Sequence, residues 1–238
     1  MAYLSRVWLN PLRNGAQRLL QHPQSMHAAV LGGLAEQPVT ERVLWRLEAD
    51  GQHRMGLLVL TQSRPSWEHI VEQAGWPGAD DAEPVVKDYG PLLKRVVAGS
   101  EFAFRLRANT VTSTRTPQAA STRQRQRLAA DRPRGVRVPQ RTAAQQLDWF
   151  LTHLPGWGLA AAEQDGLVGV RLVGRERVVF RKGAAGGDSR PVTLQTATAE
   201  GLATVVDPDV VRTALLSGCG PARAYGCGLL TLAPATRA

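Results

Sequence analysis

The 238-residue sequence has only two cysteines, Cys219 and Cys227. They stand eight positions apart, and no CxxC pair or Cys/His cluster at zinc-ligand spacing occurs anywhere. A zinc module is therefore excluded, and neither a metal nor a cofactor is expected. Aromatic residues are scarce at 5%, and the central strands lack the aromatic signature of sheet-type RNA-recognition domains. No run approaches the ~20 apolar residues of a membrane span. The opening MAYLSRVWLN lacks the basic start and long apolar stretch of a secretory signal, so the expectation is a cytoplasmic protein with no membrane partner. Lysine is almost missing, with three against 26 arginines.

What is present suits a soluble protein. A hydrophobic content of 43% over this length can fill one large or two small cores. The net charge of +9 points to a polyanionic partner. That charge is unevenly spread. Residues 1–35 carry three arginines and no acid, 36–101 carry seven basic and eleven acidic groups, and 102–238 carry nineteen basic against nine acidic. Eight arginines between Arg115 and Arg141 share their stretch with a single acid, Asp131.

Periodicity supplies the fold. YLSRVWL (3–9) reads as a strand, and Asn10-Pro11 opens a helix that His22-Pro23 breaks and restarts as PQSMHAAVL. Strands follow at 42–49 and 56–63, then a short helix capped by Ser66 and a weak strand near 84–90. The order is β-α-β-β-α-β. A second copy begins at EFAFRLRAN, whose Phe102, Phe104 and Leu106 share one face. After a long aperiodic Arg-rich insertion (110–141) come the helix TAAQQLDWFLTHL, a long strand pair around GAAGGDS, a helix opened by Asp207-Pro208, and a closing strand. The expected class is α+β, with tandem ferredoxin-like (RRM-like) βαββαβ domains at 1–95 and 100–238.

The stretch SGCGPARAYGCGLLTL (217–232) concentrates the chemistry. Rossmann and Walker loops run strand, glycine loop, helix; here the order is helix, glycine loop, strand, so both are excluded. Two readings stay open. Gly218, Gly220, Gly226 and Gly228 can shape an amide-lined anion nest with Arg223 adding a charged fork, or they can punctuate the chain before a strand. Tyr225 fits a stacking face or a core anchor.

The pattern G-x-G-x5-G-x-G before LLTL resembles the glycine-rich loop of CRISPR repeat-processing endoribonucleases, in particular the type I-E branch called CasE. YLSRVWLNP, HPQSMHAAV, ERVLWRLE, FAFRLRAN and TLQTATAEGLATVVDP resemble that family's segments in the same order, nearly end to end. The resemblance implies metal-independent cleavage of precursor CRISPR RNA at the base of each repeat stem-loop. The ribose 2′-OH attacks its own 3′ phosphate, giving 2′,3′-cyclic phosphate and 5′-OH ends. The product hairpin then stays bound within Cascade, beside a backbone subunit.

His27 aligns with the family's catalytic histidine, a group able to act as acid or base near neutrality. Gln24 stands where some members carry a tyrosine, and Gly32 where some carry a lysine. Gln24 and Arg18 are the possible supporting groups. Arg181 and Lys182 match a basic hairpin that leans on the RNA stem; Arg137 and Arg141 resemble a basic patch before the helix carrying Trp149. The resemblance leaves a second reading, a catalytically weak hairpin-binding subunit. A third, a basic RNA chaperone, lacks the aromatic signature. The six tryptophans read as core rather than stacking platforms, and His53, His69 and His153 as ordinary surface or half-buried residues.

Overall fold

Alternating apolar residues in Tyr3–Leu9 bury Val7 and Leu9 and make this run the strand β1. The computed structural model describes residues 1–50, 54–117, 122–129, 135–164, 167–182 and 190–235. Among them, no helix is long and apolar enough to cross a membrane. Helices α1 (Asn14–Gln21) and α2 (Pro23–Leu31) follow, broken at His22-Pro23. Then come β2 (Leu44–Asp50), β3 (Arg54–Thr61), α3 (Glu68–Ala74) and β4 (Val85–Asp88). The strands form one antiparallel sheet in the order β2-β3-β1-β4. Two local expectations shift. Asn10-Pro11 makes a turn in which the Asn10 side chain accepts from the Leu12 N–H, and α1 starts later. Trp67, not Ser66, is the N-cap of α3.

A short helix α4 (Gly90–Arg95), absent from the sequence-based expectation, leads into β5 (Glu101–Asn109). The insertion is more regular than its composition suggests. β6 (Val111–Thr114) pairs with β7 (Val136–Pro139), with α5 (Thr122–Leu128) between them. The aperiodic reading failed because two four-residue strands are too short to show a period. Arg132 and Arg134 lie outside the described residues, as do His53 and the segment GAAGGDS.

α6 (Ala143–His153) opens with a capping box between Thr142 and Gln145. Next come β8 (Leu159–Ala161), the small ribbon β9 (Glu163–Gln164) and β10 (Leu167–Val168), and the long pair β11 (Val170–Lys182) and β12 (Arg190–Val205). α7 (Pro208–Ser217) is capped by Asp207, whose carboxylate accepts from the N–H groups of Asp209 and Val210. β13 (Leu230–Pro234) closes the chain. The second sheet runs β11-β12-β5-β13, with β8 beside β12.

Each sheet therefore places its second, third, first and fourth main strands in the same spatial order, the ferredoxin-like arrangement. The two units share a core. Leu44, Leu58 and Leu60 of the first sheet pack with Phe102, Phe104, Leu106 and Leu230 of the second. Trp45, Leu57 and Val59 face the other way, onto Met26, Val30 and Ile70 of the first helical layer. Burial on both faces explains the unbroken apolar run Leu57–Leu60, which alternation alone would not produce.

Candidate active site

His27 sits in the second turn of α2, beside Met26, which is buried in the core. Its ring is half-buried, and its Nδ1 is buried with no hydrogen-bond partner among the described residues. Burial holds the imidazole below its ordinary value of 6.5. An unsatisfied buried nitrogen is a cost to the fold, and Ser5 Oγ, Trp45 Nε1, Trp67 Nε1 and Tyr89 Oη are in the same state among the described residues.

The glycine-rich stretch meets this helix. A 3-10 turn at Arg223–Tyr225, midway through the stretch, packs against both α2 and β2. All four glycines have positive φ, between 74° and 90°. At three of them a side chain would also collide. A Cβ at Gly218 would lie 2.7 Å from Leu44 Cδ2, at Gly226 2.6 Å from Trp45 Cζ3, and at Gly228 2.8 Å from the Cys219 carbonyl oxygen. Gly218, Gly226 and Gly228 are buried, and Gly220 is half-exposed.

The loop's amides are partly spent within the fold. The N–H groups of Gly218, Cys219, Tyr225 and Gly228 donate to the carbonyls of Ala214, Gly228, Ala222 and Arg107, at 2.9, 2.9, 2.9 and 2.7 Å. The crest around Gly220–Ala224 is the half-exposed part of the stretch. Its Arg223 is oriented by an Nε–H bond to the Gly220 carbonyl at 3.0 Å. Ala222, with φ of 67°, is the one non-glycine residue with positive φ among those described.

A basic groove of about 960 Å³ lies beside the loop. Arg137 of the β6–β7 ribbon, Arg141, and Arg177 of β11 line it with Ala222 and Tyr225 of the loop. The Tyr225 ring also meets Phe180 edge-on, with centroids 4.7 Å apart, so it anchors β11 while lining the groove. Arg177 was missed in the sequence; its signal was alternation with Arg175 and Arg181 on one strand. Arg181 is exposed near the end of β11, and Lys182 ends that strand.

The supporting candidates are less closely gathered. Gln24 lies one turn before His27 and is exposed; Arg18, on α1, is exposed too. At Gly32 a side chain would face His69, whose Nε2 lies 3.6 Å from the Cβ position and 2.9 Å from the Ala29 carbonyl oxygen. Trp45, Trp67 and Trp149 are buried. Trp8 and Trp76 are half-buried, with the Arg54 guanidinium 5.9 and 5.8 Å from their ring centroids.

Two ferredoxin-like units, a half-buried histidine on a helix that packs against a glycine-rich turn, and an adjoining arginine groove fit a protein that handles a phosphate-rich chain. The comparisons with known proteins narrow the class. A family model described as "CRISPR associated protein" matches residues 2–234, and the chain belongs to that family. It is 30% identical over 236 residues to CRISPR-associated endoribonuclease Cse3 of Thermus thermophilus, covering 98% of this chain and all of that one. It is 27% identical over 173 residues to CRISPR system Cascade subunit CasE of Escherichia coli, 73% of this chain and 78% of the relative. Among solved structures, CRISPR endoribonuclease Cse3 bound to 19 nt RNA superposes with a TM-score of 0.75 at 30% identity, over 98% of this chain and all of that one.

Proposed function

We propose that this protein is a metal-independent endoribonuclease that cuts precursor CRISPR RNA at the base of the repeat stem-loop and keeps the product hairpin as a Cascade subunit. The observation that carries the reading is the packing of the Arg223–Tyr225 turn against the helix of His27. That packing supports the reading because the two elements carry His27 and Arg223, and cleavage of a ribose–phosphate linkage needs an imidazole and a cationic group close together.

The chemistry requires three things: removal of the 2′-OH proton, delivery of a proton to the leaving 5′ oxygen, and relief of the charge on the phosphorane between them. His27, with its lowered pKa, is neutral at pH 7 and suited to take or relay a proton. Arg223 meets the phosphate. As the 2′ oxygen bonds to phosphorus, the P–O5′ bond breaks, leaving a cyclic phosphate and a free 5′-OH. Arg137, Arg141 and Arg177 hold the stem's backbone, and Arg181 and Lys182 extend that grip along the hairpin. A-form RNA offers phosphates and shape rather than readable major-groove edges, and an arginine groove suits that task. In this reading residues 1–95 supply the catalytic group, and 100–238 hold the hairpin and present a Cascade backbone subunit with it.

A second reading, a hairpin-binding subunit with little catalysis, draws on Gln24 and Gly32. Neither supplies the acidic or cationic group that some relatives carry there. Incubating the purified protein with end-labelled repeat RNA in EDTA separates the two. One cut at the stem base, leaving a cyclic phosphate, supports the nuclease; intact RNA that remains bound supports the binder.

A further inference from the structure

Arg46 is the most deeply buried charged residue of the described chain, at 1% exposure, and the reaction just described does not use it. It lies on β2 of the first sheet, but most of its bonds cross to the second. Nη1 donates to the Arg105 carbonyl at 2.9 Å and to the Leu229 carbonyl at 2.7 Å. Nη2 donates to Thr231 Oγ1 at 2.8 Å and to Glu48 Oε1 at 2.5 Å, and Nε donates to the same Glu48 oxygen at 3.1 Å. All five N–H groups of the guanidinium are thereby placed, with none left for a ligand.

The acceptors are informative. Leu229 directly follows Gly228, the last glycine of the loop. The neighbours of Arg46 on β2 are Leu44, against which Gly218 is packed, and Trp45, against which Gly226 is packed. Three consecutive residues of the first unit thus touch the second unit's loop at its beginning, near its end, and at the residue that follows it. Leu44 and Trp45 act by shape, and contacts of shape alone permit sliding. Arg46 acts by directed bonds to a carbonyl at the loop's foot, and these fix a register.

We propose that Arg46 is a positioning residue for RNA cleavage: from the unit that carries His27 it sets the register of the glycine-rich loop, so that imidazole and crest face each other. Its kinetic consequence rests on the ribonuclease reading above; its structural consequence does not. Hairpin binding is carried by Arg137, Arg141, Arg177 and Arg181 of the second unit, so loss of Arg46 separates cutting from holding.

The test uses full-length Arg46→Met and Arg46→Lys. In Arg46→Met, Glu48 keeps an ion-pair partner in Arg105 at 3.5 Å, so the seam is not left with a bare carboxylate. Two measurements are made: amide hydrogen exchange across 218–229 without RNA, and single-turnover cleavage beside hairpin affinity. Exchange is expected to rise in 218–229 while β5 and β12 stay protected. Cleavage is expected to slow by about 10²-fold, as for a displacement of roughly 1 Å, with affinity unchanged.

Unchanged loop exchange in a folded Arg46→Met would overturn the proposal whatever the RNA does. So would equal losses of rate and affinity, because Arg46 would then serve the fold in general. If Arg46→Met does not fold, Arg46→Lys decides on the same criteria: native loop protection at full rate refutes the assignment. If the unmodified protein cuts no repeat RNA, the ribonuclease reading fails, and hydrogen exchange still decides the role of Arg46.

Discussion

Gly226→Ala probes the loop where backbone and packing demands coincide. Gly226 has φ of 75°, a conformation that costs an L-residue about 1–2 kcal/mol. The new methyl would also lie 2.6, 3.0 and 3.1 Å from Trp45 Cζ3, Cη2 and Cε3. The indole is 1% exposed and cannot swing into solvent. Overpacking of this kind adds about 1–3 kcal/mol, for a total of roughly 2–5 kcal/mol. Gly220→Ala is the control. Its φ is 74°, but a methyl there meets Trp149 Cη2 at an ordinary 3.5 Å, so it should cost only the backbone part, about 1–2 kcal/mol. Urea unfolding of both variants measures the difference. In a double-mutant cycle with Trp45→Leu, the pair should cost less than the sum of its parts by about 0.5–3 kcal/mol. Equal destabilisation by Gly226→Ala and Gly220→Ala, with no coupling to Trp45, would refute the view that β2 templates the loop.

Three further outcomes are expected. His27→Ala should abolish cleavage of the repeat hairpin while leaving its affinity intact; surviving cleavage in a clean preparation removes His27 from the chemistry. The pH profile of kcat/KM should have an inflection below 6.5, because burial disfavours the imidazolium in the free protein. A rise with pH there identifies a base and a fall an acid, and an inflection above 6.5 contradicts the burial argument. By linkage, the same depressed value gives stability that is present above 6.5 and lost as pH falls through it. Finally, Arg177→Ala and Arg181→Ala should weaken hairpin binding and lower the salt slope by about 0.7–0.9 per lost phosphate contact. An unchanged slope would place that residue off the RNA.

The helices and strands were legible where local chemistry decides them. Asp207-Pro208 caps and starts α7 as its residues dictate, and the alternation in Glu101–Asn109 lays out β5. His27 was legible only through likeness to relatives, since one histidine on an apolar helix carries no signature of its own. The β6–β7 ribbon was hidden because its strands are four residues long and draw their order from each other across the Arg-rich insertion. Arg46 was the least visible. In sequence it is one arginine in an amphipathic strand, and only the meeting of two sheets gives it the carbonyls of Arg105 and Leu229. The glycines illustrate the same limit: their spacing left an anion cradle and plain punctuation both open, and in the structure three of them make room for Leu44, Trp45 and Cys219.

The charge pattern follows from this division. Along the seam, Arg46, Arg105 and Arg171 alternate with Glu48 and Glu200 in a chain of ion pairs, so most of the positive charge there is cancelled. The groove has Arg137, Arg141 and Arg177 and, among the described residues, no acid in its lining. In the proposed reading a polyanion is therefore drawn to the groove, whose Arg137 and Arg141 come from the arginine-rich insertion, and not to the seam. In the proposed reading, RNA held in the groove would reach Ala222 and Tyr225, which line it, and the turn carrying Tyr225 packs against the helix of His27. In that reading, neutralising the seam serves the site twice: it holds the two units in register, and it leaves the groove as the basic surface beside the glycine-rich turn.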